Sequence, residues 1–434
     1  MASVREPNEA LAHVIAEAGM ANEALAHAVR CVAAENGEVI QTNKSTVTHW
    51  VRCGAQPSGS AGRYLAEALS RRLGRVVALG RTDTVDLDRR QVVGGAAYSL
   101  TALALPPGVW WARMAERGNE RRDTGRSVGR GDLRAARDMA ALFSTMDQRH
   151  GGGHARTAVV RYLTTEVVGR LKGTFTDDGV RRGMLSTAAE LAYLSGWMAF
   201  DNGEHHTAQR HFTAAVKLAA EADDASMAAH VLRAMAHQAN DLGHPKHALD
   251  LAAASVDGRR YAEASPRERA LLGVVHARTL ASTGANRAAA RALLRAEDDL
   301  AGAGRGGDEP SRVFFFQEAS LAHETALALR DMGDLDGAER QLRRSVRTRK
   351  ADKFTRTHAV TLGYLGDVQA RRHRVEEACT TWSESLDAMD GVRSARTRRA
   401  AADMRAALSP LLGRGIRSVT TVHTRASAYL TATA

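Results

Sequence analysis

The chain has 434 residues, 44% hydrophobic and only 5% aromatic, with eight prolines and a net charge of +11. That length allows two or three domains with ample buried core, and an Ala-, Leu- and Arg-rich, Pro-poor composition suits helices. Three cysteines (Cys31, Cys53, Cys379) without a CxxC pair argue against a disulfide scaffold or a structural zinc site. No apolar run approaches a membrane span, and MASVREPNEALAH lacks the apolar segment of a secretion signal, so a cytoplasmic location is expected.

Four helices are predicted within residues 1–79. Residues 8–18 set Leu11, Val14, Ile15 and Ala18 at helical spacing before Gly19. A second helix over 22–35 opens at Asn22 as candidate N-cap, carries Leu25, Ala28, Val29 and Val32 on one face, and stops at Gly37. A third begins at Lys44 with Ser45 as candidate cap, and a fourth, from about Gly62 to Leu73, aligns Leu65, Leu69 and Leu73. Charge shifts along this stretch: residues 8–40 hold one Arg against five Glu, and residues 41–75 hold six basic residues against one Glu.

On the third helix Val47, Trp50, Val51 and Gly54 share the face expected to meet the core, and Ser45, Thr48, His49 and Arg52 share the opposite one. Hydroxyls near the start of an exposed helix, followed by imidazole and guanidinium, suit the major groove of duplex DNA. Lys44, Ser45, Thr46, Thr48, His49 and Arg52 are the candidate DNA contacts, with Arg63, Arg71, Arg72 and Arg75 as phosphate contacts around them.

Residues 80–131 read as a linker with partial helix, broken at Pro106-Pro107 and followed by an arginine-rich stretch. Between 189 and 386 one pattern recurs five times. A small residue (Gly196, Ala236, Ala277, Ala326, Gly366) is followed seven positions later by Gly203, Gly243, Gly284, Gly333 or His373. Five further on stands Ala208, Ala248, Ala289, Ala338 or Ala378. The fourth position holds Phe212, Ala252, Leu293, Leu342 or Trp382, and the fifth Ala215, Ser255, Ala296, Ser345 or Ser385. Residues 132–148 and 154–171 read as one more, degenerate hairpin, with Gly153, Ala158 and Tyr162 at the same spacing.

Small residues at these intervals let paired helices approach closely, and Gly between them permits a turn with positive φ. The pattern resembles the tetratricopeptide repeat, which implies stacked hairpins forming an α-solenoid over 132–434, with residues 393–430 as capping helices. Successive alanines lie 40, 41, 49 and 40 residues apart, so the connections are extended, and the longest gap contains AGAGRGGDEP (301–310), expected to be a mobile loop.

The first helix of each such hairpin lines a concave face. That directs Tyr193, Trp197, His230, Arg233, His237, Asn240, Arg278, His323 and Arg330 toward a groove for a peptide or small acidic effector. The whole charge excess falls on residues 340–434, including Arg340, Arg343, Arg344, Arg347 and Arg349. Arginines there either cover helix surfaces or form an auxiliary surface for DNA. GRSVG (125–129), HGGG (150–153) and GAGRGG (302–307) lack the strand contexts their catalytic or nucleotide-binding counterparts need. His205, His206, His244 and His247 fall in hairpin turns, read as solvated rather than metal-binding, so no catalytic residue, metal or cofactor is expected.

STVTHWVRCG resembles the third helix of repressor-type helix-turn-helix domains. Together with NEALAHVIAEAGMANEALAHAV, YLAEALSRRLGR, RHGGGHAR, LSGWMAFDNGEHHTAQRHF and HQANDLGHPKHAL, the chain resembles actinobacterial, Streptomyces-type regulators. These join a helix-turn-helix to tetratricopeptide repeats. The resemblance implies an all-α, non-enzymatic transcriptional regulator acting on double-stranded DNA as a homodimer, in development or secondary metabolism. His49 stands where that family usually has Arg, and Cys53 where it has Gly. Those departures keep an alternative: a repeat scaffold for a protein partner with a vestigial helix-turn-helix.

Overall fold

The computed structural model describes residues 8–35, 38–53, 55, 57, 60–73, 98, 103, 105, 108–118, 127–304 and 309–433. The chain divides into two compact units, residues 1–102 and 103–434.

In the first unit α1 (Glu9–Glu17), α2 (Asn22–Glu35), α3 (Lys44–Arg52) and α4 (Ala61–Leu73) enclose one core. Leu11, Ile15, Leu25, Val29, Val32, Val47, Trp50, Leu65 and Leu69 are buried together, as their helical spacing predicts, and Val14, Ala28 and Val51 pack at its edge. Gly19 turns the chain between α1 and α2 with φ +60°, a left-handed conformation that costs a glycine little. The Gly37 and Gly54 expectations lie outside the described residues.

Two caps differ from expectation. Asn43, not Ser45, caps α3: its Oδ1 accepts the Thr46 backbone N–H at 2.9 Å and the Ser45 and Thr46 hydroxyls at 2.6 and 2.9 Å. Asn43 keeps extended backbone angles, from which a side chain folds back onto the first turn, whereas Ser45 is already helical. Asn22 is likewise the first residue of α2 rather than its cap. Its amide instead donates to Thr48 Oγ1 at 3.1 Å, tying the start of α2 to α3.

The second unit opens with α5 (Gly108–Gly118), α6 (Arg130–His150), α7 (Gly152–Tyr162), a π turn (Leu163–Val167) and α8 (Val168–Leu171). Two-residue strands Ser127–Val128 and Thr174–Phe175 pair in parallel. Then come hairpins α9 (Asp178–Asp201) with α10 (His205–Glu221) and α11 (Ala225–Asp241) with α12 (Pro245–Ser255), followed by the short α13 (Arg259–Ala262). The stack continues with α14 (Pro266–Ser282) and α15 (Asn286–Gly302), α16 (Glu318–Asp331) and α17 (Leu335–Thr348), and α18 (Thr355–Arg371) and α19 (Val375–Ala388). It closes with α20 (Ala395–Leu408) and α21 (Arg417–Ala432). The fold is all-α and solenoid-like.

The repeated positions act as their spacing implies. Gly203, Gly243, Gly284, Gly333 and His373 all adopt positive φ, from 62° to 88°, at the turn inside each hairpin. The first and fourth positions face each other. A Cβ on Gly196 would meet the Phe212 ring at 2.7 Å, and one on Gly366 would meet the Trp382 ring at 2.4 Å. Gly therefore stands where the facing residue is Phe or Trp, and Ala where it is Ala252, Leu293 or Leu342. At the fifth position Ser345 and Ser385 donate to the carbonyls of Ala319 and Ala359 on the partner helix.

A junction forms at 150–153, the HGGG segment. Arg393 N–H donates to the His150 carbonyl at 3.1 Å, and the Arg393 carbonyl accepts from Gly153 at 3.3 Å. Any Cβ on Gly151 would lie 2.4 Å from the Arg393 carbonyl oxygen, and one on Gly152 2.3 Å from that of Met198, so the sequence HGGG here permits backbone-to-backbone contact. Arg356 on α18 completes the clasp, reaching Asp147 on α6 at 3.0 Å and Asp201 at the end of α9 at 3.4 Å. The α6 end thus binds both the first and the fifth hairpin, and the stack curls until its start meets its end.

Candidate functional site

On α3 the split between faces is realised. Val47 and Trp50 are buried, while Lys44, Ser45, His49 and Arg52 are exposed. The side chains of Lys44, His49 and Arg52 make no hydrogen bond or ion pair with another described residue. Four predicted contacts are engaged within the unit: Ser45 and Thr46 in the Asn43 cap, Thr48 with Asn22, and Arg72, whose Nε donates to the Ala18 carbonyl at 3.2 Å. Arg72 thereby satisfies the end of α1. The side chains of Arg63 and Arg71, and all of Arg75, lie outside the described residues.

The nine predicted groove residues all lie on the inner helices, yet most are not open to a ligand. Tyr193, His230, Arg233, His237, Arg278 and His323 are buried; Trp197, Asn240 and Arg330 are half-buried. Arg233 donates to Tyr193 Oη and contacts His230 Nε2, both at 3.0 Å, and its guanidinium stands 5.5 Å from the Trp197 ring. His230 Nδ1 meets Glu268 Oε1 at 3.1 Å. Arg312, from the 3-10 turn Ser311–Val313, grips both Glu268 oxygens at 2.8 and 2.9 Å and reaches Ser226 at 2.9 Å. Arg278 is held by Asp241 at 2.7 Å and Glu324 at 3.4 Å, and His323 Nδ1 by Thr361 at 2.9 Å.

The reason is tertiary. The segment 309–317, which begins at the end of the 301–310 stretch expected to be a loop and continues beyond it, folds back across the inner face, and Arg267 holds the Phe316 carbonyl at 2.8 Å. Phe315, Phe316, Gln148 of α6 and Arg396 of α20 join Trp197, Arg233, His237 and His323 around a small inner cavity of about 60 Å³. Larger space lies at the mouth of the inner face, a cleft of about 830 Å³ that includes Asn240, Arg278 and Arg330 among its walls.

Burial and charge set the protonation of this interior. Burial would raise Glu268, but Arg312 and His230 outweigh it and hold the carboxyl at about 2. Burial, then Arg233, lowers His230 to about 4, so the ring is neutral, donating from Nδ1 to Glu268 and accepting from Arg233 at Nε2. Burial lowers His323 to about 3. Burial raises Asp147 to about 6 despite Arg356.

Acid should therefore weaken the hairpin stack. A histidine held below its usual value of about 6.5 binds fewer protons folded than unfolded. Its stabilisation is complete above that value and lost as pH falls toward about 4 for His230 and about 3 for His323. His205, His276 and His358 are lowered by burial in the same sense. Asp147, Glu190 and Asp403, raised by burial, run the other way, stabilising as pH falls. His230 and His323, lowered to about 4 and about 3, together outweigh Asp147, raised to about 6, so the urea midpoint should drop between about pH 7 and about pH 5. His323→Asn should flatten that dependence. A midpoint constant over the interval would show that these imidazoles are not neutral and buried.

Several of the carboxy-terminal arginines are paired, whereas Arg340 and Arg347 make no side-chain ion pair with another described residue. Arg343 meets Glu339 and Glu377, Arg344 meets Glu318, and Arg372 and Arg374 converge on buried Glu339. Arg349 is buried and donates to the Ala319 carbonyl at 2.9 Å. The turn histidines His205, His206, His244 and His247, read as solvated, are half-buried, because each turn packs beside the next hairpin.

Residues 11–83 match the family described as the SP15 N-terminal domain. The matched stretch covers the first unit from Leu11 through α4 and does not reach the hairpin stack. Among curated proteins none matches this chain. No described helix is long and apolar enough to cross a membrane.

Proposed function

We propose that this protein is a DNA-binding transcriptional regulator. In this reading α1–α4 act as a helix-turn-helix unit, and the hairpin stack, of tetratricopeptide kind, binds an effector and pairs two copies. The observation that carries the reading is the α3 face: a helix fixed from beneath by Val47 and Trp50 that presents Lys44, His49 and Arg52 without partners among the described residues. Side chains not already bonded, on a helix held by its own core, suit major-groove recognition, where free donors can reach the acceptors on base edges.

Selection from a randomised duplex library tests this directly. The wild-type protein should enrich one motif, and Arg52→Ala should weaken it by about 1–3 kcal/mol and relax one base position. Absence of any enriched motif would reject the reading.

A second reading, a scaffold for a protein partner, is favoured by the engagement of Ser45, Thr46, Thr48 and Arg72 inside the unit, which occupies four of the predicted contacts. Capture of a partner by a chain that selects no DNA would establish it.

A further inference from the structure

The cleft at the mouth of the inner face holds charged side chains that no direct hydrogen bond or ion pair ties to another described residue. Its walls carry internal pairs: Arg278 with Asp241, Arg330 with Asp331 at 2.9 Å, and Arg371 with Asp367 at 3.0 Å. Arg396, Arg399 and Asp403 on α20 also line it without a side-chain hydrogen bond or close ion pair to another described residue; Arg399 and Asp403, four residues apart, feel each other's charge, and Arg396 acts at longer range on Asp147 and Asp241. The three α20 residues lie at i, i+3 and i+7, hence on one face of the helix. Arg396 lines the inner cavity as well as the cleft, so it stands at the deep end. Tyr364, Trp382 and Met404 supply apolar wall between the charges.

Two adjacent guanidiniums at one end and a carboxylate at the other match a molecule with an anion and a cation at opposite ends. Seven residues of α20 place Arg396 and Asp403 about 10 Å apart along the helix axis. Three extended peptide residues span about the same distance. The volume of about 830 Å³ is of the size that encloses such a molecule. Asn240, half-buried on the facing wall, offers an amide that can pair with a peptide group.

We propose that this cleft binds a short peptide with free termini, about three residues long, whose carboxylate is held by Arg396 and Arg399 and whose ammonium faces Asp403. The proposal deepens the effector-binding part of the function above and names the chemistry it would recognise.

The test is a thermal-shift screen of the full chain against a tripeptide library with free termini, followed by calorimetric titration of the best sequence. C-terminal amidation and N-terminal acetylation should each weaken binding about tenfold or more, since each removes a charge-assisted contact. Arg396→Gln and Arg399→Gln should do the same, while Arg398→Gln, beside a different hollow on α20, should not. Arg399 is exposed, so its variant keeps the fold even if the Arg396 variant does not. No binder in the library, equal binding of the amidated peptide, or indifference to both α20 substitutions would overturn the site. These readouts involve no DNA, so failure here and failure of the library selection for DNA are separate results.

Discussion

Replacing Arg356 with Ala should destabilise the hairpin stack by about 3–5 kcal/mol, the largest effect expected of any single change there. The guanidinium is 2% exposed and lies between Asp147 and Asp201, themselves 1% and 0% exposed. Its removal leaves two carboxyls buried against each other without their direct counter-charge. Asp147, already raised to about 6 by burial, would lose the group that does most to keep it charged near neutrality. The loss should therefore be partly recovered as pH falls toward about 5, where protonation removes the stranded charge. Asp147→Asn should rescue part of it at neutral pH for the same reason. Urea denaturation of the two single variants and the double variant gives the coupling energy. Additive effects would mean that the clasp between α6, α9 and α18 is not a unit.

Trp50→Ala should abolish folding of the first unit while sparing the second. Trp50 is 4% exposed and packs in the single core shared by α1–α4. Truncating a buried Trp costs about 3–5 kcal/mol, which equals or exceeds what one small core supplies. Calorimetry should show loss of one transition with the main transition unmoved, because the hairpin stack has its own core. DNA selection should vanish with it. Arg52→Ala, exposed on the other face of α3, should keep both transitions. A Trp50→Ala protein with two intact transitions would contradict the core described here.

Much of the architecture is legible in the sequence because it rests on local periodicity. The stripes Leu11/Ile15, Leu25/Val29/Val32 and Leu65/Leu69 pack where helical spacing places them. The repeated Gly positions adopt positive φ because the hairpin turn demands it of each residue in isolation. Less is legible in the candidate site. Inner-helix membership follows from the repeat frame, which sets Tyr193 through Arg330 on the right face. Their availability does not follow, since it depends on what else reaches that face. Nothing local sets Arg356, Arg396 and Arg399 apart, because an arginine in a basic stretch looks alike in sequence whether it is solvated, clasped or aimed into a cleft. The one signal is Phe314-Phe315-Phe316 after the Gly-rich stretch, an apolar triplet that a solvated loop does not need.

The sequence by itself determined an all-helical chain, a four-helix amino-terminal unit, an α3 with one buried and one exposed face, and a stack of hairpins with its turns in register. Each of these depends on residues a few positions apart. Only the tertiary structure decided that the stack curls until His150–Gly153 meets Arg393, that residues 309–317 fill the inner face, and that open space is left beside Arg396, Arg399 and Asp403. Those outcomes join residues more than two hundred positions apart, such as His150 with Arg393 and Asp147 with Arg356. Such pairings arise from how small rotations between successive hairpins add along the stack, a sum that no local pattern records.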